Sequence, residues 1–223
     1  MTRRLTLAIA LATCTALTAP AAASSISVNN VGYSNGSAVV SVGAFAGFGG
    51  GSFNAGRFAL TTASDIVTAW CVDLFRSITI GTQTPPLTYT LGGLNDAPTI
   101  AASAFTAAQV SRAIGLAAYG NAQLAASPGD SAVSAAVQGA IWNTLFGATV
   151  SSGDGTVQTL MTQLLGQGFA GTGGNRLSNL DNQNLLSAQT LFTGGTAVPA
   201  PAAFGLFGLA LAGLLAARRR TAA

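Results

Sequence analysis

An uninterrupted apolar run from Ala202 to Ala217, opened by Val198-Pro199-Ala200-Pro201 and closed by Arg218-Arg219-Arg220, limits what this chain can fold into more than any other stretch. Counted from Val198, the 20 residues to Ala217 just cross a bilayer core of roughly 30 Å at the helical rise. The arginines favour the cytoplasmic side, so the body of the chain is expected on the far side of the membrane, with Val198 to Pro201 at the outer interface. The opposite end agrees. Arg3-Arg4, a largely apolar stretch from Leu5 to Leu17, and Ala21-Ala22-Ala23 before Ser24 form the charged, apolar and small-residue regions of a secretory signal peptide, with cleavage expected after Ala23. Thr2-Arg3-Arg4-Leu5 hints at a twin-arginine signal, but the residues that follow fit general secretion better. The expected organisation is a signal peptide (1–23), one extracellular domain (24–197) and a terminal segment (198–220) made of a motif (198–201), a membrane helix (202–217) and an arginine cluster (218–220).

The terminal arrangement resembles the PEP-CTERM sorting signal of exopolysaccharide-producing Gram-negative bacteria, in which an exosortase recognises a Pro-containing motif, a transmembrane helix and a short Arg cluster. Val198, Pro199, Pro201, Arg218, Arg219 and Arg220 carry the resemblance; Ala200 stands where Glu is commonest. It implies processing by an exosortase, transient residence in the inner membrane, and release to the cell surface or to an extracellular, biofilm-type matrix.

Removing both signals changes the electrostatics. The whole chain has a formal charge of +3, but five of its arginines lie in the terminal segments. Arg57, Arg76, Arg112 and Arg176 then face Asp65, Asp73, Asp96, Asp130, Asp154 and Asp181, a net charge of about −2. No basic patch remains to attract phosphates, which argues against nucleic acid as a partner. His, Lys and Glu are absent altogether. A Ser-His-Asp or Cys-His catalytic arrangement, a typical zinc site and Schiff-base chemistry all need side chains the chain lacks. Neither a metal nor a cofactor is expected. Asp65 and Asp73, read on one strand face, are the remaining candidates for a glycosidase pair, but six scattered aspartates make some such pair nearly inevitable. Gly153-Asp154-Gly155 supplies one carboxylate where a calcium loop wants several, and reads instead as a turn before a helix. The chain is therefore not expected to be an enzyme.

Periodicity suggests an α+β fold, rich in β, with two or three helices in its C-terminal half. Strands are expected at Ile26–Val28, Ala38–Val42, Arg57–Leu60 and Ile66–Phe75, separated by Asn-Gly and Gly-rich turns. Phe45–Gly56 reads as a Gly-rich connection whose phenylalanines pack on a sheet, and Arg76–Leu91 as a hairpin-like excursion around Pro85-Pro86. Thr106-Ala107-Ala108-Gln109 has the capping-box pattern and opens a helix to about Tyr119. Val133, Val137, Ile141 and Leu145 recur one turn apart, predicting a second helix with a buried stripe. Asp154 caps a third helix carrying Val157, Leu160, Met161, Leu164 and Leu165. Gln183–Phe192 is ambiguous and suggests a closing strand.

Removal of Cys14 with the signal peptide leaves Cys71 as a single cysteine in an oxidising compartment, where an odd thiol implies an intermolecular disulfide, a reactive group or a buried hydrophobe. Cys71 lies in Trp70-Cys71-Val72-Asp73, and the second tryptophan in Val137-Gln138-Gly139-Ala140-Ile141-Trp142, one helical turn beyond Gln138. This pair resembles the thioester domains of bacterial surface adhesins, where a Cys on an early strand bonds to a Gln in a Thr-Gln-x-Ala-Ile-Trp motif; Val137 replaces the usual Thr. The resemblance implies an internal thioester between Cys71 and Gln138. Trp70 and Trp142 would shield it, and Asp73 would either orient an incoming nucleophile or hydrogen-bond within a turn. Surface amines or an extracellular polysaccharide would then be covalent partners. Two alternatives remain open: a structural matrix protein in which Cys71 and Gln138 are simply core, and a carbohydrate-binding module using Tyr33, Tyr89 or Tyr119.

Overall fold

The computed structural model describes residues 24–94 and 105–188. The signal-peptide, sorting-motif and membrane-helix assignments lie outside the described residues. Among those described, no helix is long and apolar enough to cross a membrane. In chain order the elements are β1 (Ser25–Tyr33), β2 (Ala38–Val42), β3 (Gly51–Ala55), β4 (Phe58–Thr61), β5 (Ile66–Cys71), β6 (Gly81–Gly92), α1 (Ala107–Ala126), α2 (Ser131–Phe146), β7 (Val150–Ser151), α3 (Gly155–Gly166), β8 (Asn175–Ser178) and β9 (Leu185–Ser187). The domain is β-rich, with its helices in the C-terminal half.

Six strands close into a barrel in the order β1-β4-β5-β9-β8-β6, and β3-β2-β7 form a second sheet. Closure leaves the barrel no free edge along which another chain can add. Val28, Val31, Leu60, Tyr89, Leu177 and Leu186 on its strands are fully buried. β6 is one long strand, where a hairpin-like excursion was expected. Its register against β1 shifts between Val28↔Leu87 and Asn30↔Thr82, and Pro85-Pro86 fall within that irregularity, where a missing N–H interrupts no ladder. β5 ends at Cys71 instead of reaching Phe75, because the Asp73 carboxylate accepts the Phe75 N–H at 3.0 Å and turns the chain. The Gly-rich connection contains β3, paired with β2, and Phe45, Phe48 and Phe53 pack partly buried against the core. β9 falls inside the segment expected to close the sheet.

The helix starts follow their caps. Thr106 accepts the Gln109 N–H while Gln109 accepts the Thr106 N–H, Asp130 accepts from Val133, and Asp154 accepts from Thr156 and Val157. α1 continues past Tyr119 because Gly120 permits a close approach: a Cβ there would lie 2.6 Å from Cζ2 of Trp70 and 2.9 Å from Val137. α2 departs most from expectation. The apolar stripe predicts one buried face, yet Ser134 through Trp142 are all buried, Val133 is only partly so, and α2 contacts α1, α3, β2, β3, β5 and β7. Such a helix is buried all round, and small residues make that possible. Gly139 has no space for a side chain, since a Cβ would sit 2.5 Å from the Met161 sulfur.

Gly120→Ala is expected to destabilise the domain by roughly 1–3 kcal/mol, because overpacking against Trp70 outweighs the gain in helix propensity. Gly155→Ala, where nothing lies within 4 Å of the added carbon, should be neutral or mildly stabilising. Urea denaturation of the two variants checks the contrast; equal midpoints would refute it.

Candidate functional site

α2 enters the barrel wall where β4 and β5 part. Continuing the register Phe58↔Ala69 would set Gly56 opposite Cys71, but β4 starts only at Phe58. Instead the Arg57 N–H donates to Ser134 Oγ at 2.8 Å, turning the chain toward α2. The strand edge at Cys71 is thereby vacated on one side, while β9 occupies the other through Cys71↔Leu185. One helical turn beyond Ser134, the Gln138 carboxamide fills the vacancy. The Cys71 N–H donates to Gln138 Oε1 at 2.9 Å, and Gln138 Nε2 donates to the Cys71 carbonyl at 2.9 Å. Both residues are buried, Gln138 completely and Cys71 to 1% exposure. A buried amide needs such partners, and here each polar group of the carboxamide satisfies one of the backbone.

The thiol lies beside this pair. Cys71 Sγ donates to the Asp73 carbonyl at 2.9 Å and accepts the Asp73 N–H at 3.4 Å. Burial pushes the thiol up to about 12, an effect opposed by the Asp73 backbone and by the Trp142 indole and reinforced by the Asp73 charge. The sulfur is thus protonated throughout the physiological range. Trp142 Nε1 acts on it without reaching hydrogen-bond geometry, and is a buried N–H with no partner among the described residues. Such a donor is uncommon in a folded interior and carries a desolvation cost.

Cys71, Gln138 and Trp142 line one cleft of about 450 Å³, together with Tyr33, Phe53, Phe58, Phe75 and Arg76 among others. Phe53 meets Trp142 edge to face at 5.9 Å, so the tryptophan is fixed as an aromatic wall. Burial, followed by the effect of Cys71, raises the Tyr33 phenol, whose hydroxyl donates to the Asn54 carbonyl at 2.9 Å.

Of the residues singled out in the sequence, Cys71, Gln138 and Trp142 are brought together at the cleft, whereas Trp70 lies outside it. Side chains alternate along a strand, so Trp70 points the other way from Cys71. Its indole donates to Asn121 Oδ1 at 3.2 Å and covers Gly120, outside the cleft. Asp73 serves the turn: Oδ1 accepts from Phe75, and Oδ2 accepts from the Asn184 side chain at 2.7 Å. Asp65 precedes β5 and bonds the Ile66 N–H, whereas Asp73 follows it, so the two carboxylates stand at opposite ends of the strand and share no face. Asp154 is a helix cap. Among the described residues no group of three metal-ligating side chains occurs. Tyr89, read as a surface platform for sugars, is fully buried, and Tyr119 packs its ring on Phe169. Arg76, Ser134, Gln183 and Asn184 had no motif to announce them; the only hint was the polar run Asn182-Gln183-Asn184 before a strand.

Comparison with protein-family models, curated proteins and solved structures returns no match.

Replacing Gln138 by Leu should cost roughly 2–5 kcal/mol, because the Cys71 N–H and carbonyl would lose their partners inside the core; chemical denaturation measures it. In Gln138→Ala, whose thiol has no neighbouring carboxamide, alkylation by iodoacetamide should climb about tenfold per pH unit from 7 to 9, since a raised thiol pKa keeps the thiolate scarce until higher pH. A plateau below pH 9 in the folded variant would contradict this.

Proposed function

We propose that this is an exported surface or extracellular-matrix protein, processed at its C-terminal segment by an exosortase, that attaches covalently through an internal Cys71–Gln138 thioester. It performs no turnover. The observation that carries the reading is the reciprocal pair of hydrogen bonds that holds the Gln138 carboxamide against the backbone of the residue bearing the thiol.

The steps balance with the groups present. The Sγ–Cδ bond forms, the Cδ–Nε2 bond breaks, and the thiol proton leaves with the amide nitrogen as ammonia. No His, Lys or Glu exists to act as base, so the reaction relies on proximity and on polarisation. The Cys71 N–H, donating to Oε1, supports the charge that develops on the carbonyl oxygen. When a partner amine later attacks the Gln138 carbonyl carbon, an amide forms, the carbon–sulfur bond breaks, and a proton passes to sulfur. Trp142 Nε1, without an acceptor at rest, is placed to donate to the sulfur as charge returns to it. The aromatic walls of the cleft keep water from hydrolysing the acyl group.

A second reading is favoured by the same hydrogen bonds. A glutamine that completes a vacated strand edge is a sufficient structural role, and the protein would then be a matrix component without reactive chemistry. Intact mass separates the two. The thioester reading expects the purified protein to weigh one ammonia less than its sequence, and to gain one methylamine on incubation with that amine, both effects vanishing in Cys71→Ala. An unmodified mass with no methylamine uptake would leave the structural role. Tagging both ends of the chain and following the C-terminal tag between membrane and medium tests the processing: the tags should separate, and tags that stay joined would rule it out.

A further inference from the structure

We infer that the cleft selects a nucleophile carrying its own carboxylate, with Arg76 as the residue that receives it. The inference rests on the thioester reading and goes beyond it by naming the class of acceptor.

The charges around the cleft point one way. Among the described residues that line it, Arg76 is the one Asp, Glu, Lys or Arg side chain. The guanidinium is held in place: Nη1 donates to the Asn179 carbonyl at 3.1 Å. Asn179 is itself fixed, donating from Nδ2 to the Thr88 carbonyl and from its N–H to Asn184 Oδ1, and Asn184 grips the Asp73 carboxylate. The arginine is therefore tied through a rigid network to the turn that carries the thiol. Among the described residues no carboxylate pairs with it. A planar guanidinium with spare donors, half-buried and unpaired, is suited to a carboxylate.

The carboxylates themselves are turned elsewhere. Asp73 is spent on Asn184 and Phe75, Asp65 lies at the far end of β5, and Asp130 and Asp154 cap helices. Asp181 lines a separate groove beside Pro85 and Pro86, and Asp96 lies outside the described residues. Among the described residues that line the cleft, none is an aspartate that could offer an anion to an incoming ammonium. An amine carrying a second positive charge would meet Arg76 as a like charge, whereas one carrying a carboxylate would be steered and anchored near the Gln138 carbonyl.

Three small amines of similar basicity test this on the full chain by mass spectrometry: β-alanine, propylamine and cadaverine. At low salt, β-alanine should add about five- to tenfold faster than propylamine, and cadaverine slower than either. The order should collapse at high salt and in Arg76→Ala, which should still take up propylamine, and should persist in Arg76→Lys. Equal rates for the three amines, cadaverine adding fastest, or an unchanged order in Arg76→Ala would overturn the selection while leaving the thioester intact. Failure of all three amines, propylamine included, would instead overturn the thioester reading and the selection with it.

Discussion

The two hydrogen bonds between the Gln138 carboxamide and the Cys71 backbone hold together the parts of this domain that the sheets alone leave apart. β4 and β5 separate just before the strand edge would be completed, and α2 inserts Ser134 and Gln138, one turn apart, into the gap. A helix that must reach a strand this way cannot keep a solvated face at that level. Its middle is accordingly lined with Ala135, Ala136, Gly139 and Ala140, residues small enough for α1, α3 and the second sheet to close around it. Burial then strengthens the same hydrogen bonds by removing competing water, and makes any loss of one partner costly. The geometry of the site and the packing of the helix are one constraint seen from two sides.

How much of this was legible in the sequence follows from the range of the interactions involved. Helix starts were readable because capping is local: Thr106 with Gln109, Asp130 with Val133, and Asp154 with Val157 lie within a single turn. The Cys71–Gln138 pair was readable only through a resemblance in two short patches, since no periodicity joins residues so far apart. The all-round burial of α2 was not readable from its apolar positions, because Ala and Gly are neutral in such patterns and acquire meaning only from what packs on them. Trp70 was misread for a related reason. Adjacency in sequence suggested that it shields Cys71, whereas strand alternation sends it to Gly120 and Asn121 on the other side. β6 was missed because Pro85-Pro86 read as a break, and the bulge that accommodates them exists only against β1.

The scarcity of ionisable groups shapes the chemistry as strongly as their placement. With no histidine, lysine or glutamate in the chain, side-chain charge at the site must come from the few arginines and aspartates, beside the backbone dipoles. The thiol illustrates the consequence. Its proton rests on the Asp73 carbonyl, its pKa is raised by burial, and the Asp73 carboxylate is held by Phe75 and Asn184. On the thioester reading proposed above, enforced contact and the exclusion of water stand in for proton transfer by a side-chain base.

The same scarcity gives each charge that remains an unusual weight. In a domain with a dense surface of mixed signs, one arginine beside a cleft would be screened and paired by its neighbours. Among the described residues Asp73, Asp130 and Asp154 are engaged in a turn and in helix caps, and the one partner seen for the Arg76 guanidinium is a main-chain carbonyl. Electrostatic preference at the mouth of the site therefore does not depend on a patch. It depends on a network from Thr88 through Asn179 and Asn184 to Asp73, which fixes the guanidinium and the turn carrying the thiol in one frame. That coupling explains why so polar a segment as Asn179–Asn184 is packed at the edge of an otherwise apolar barrel: its amides position, on one side, the charge that greets a ligand and, on the other, the backbone that holds the sulfur.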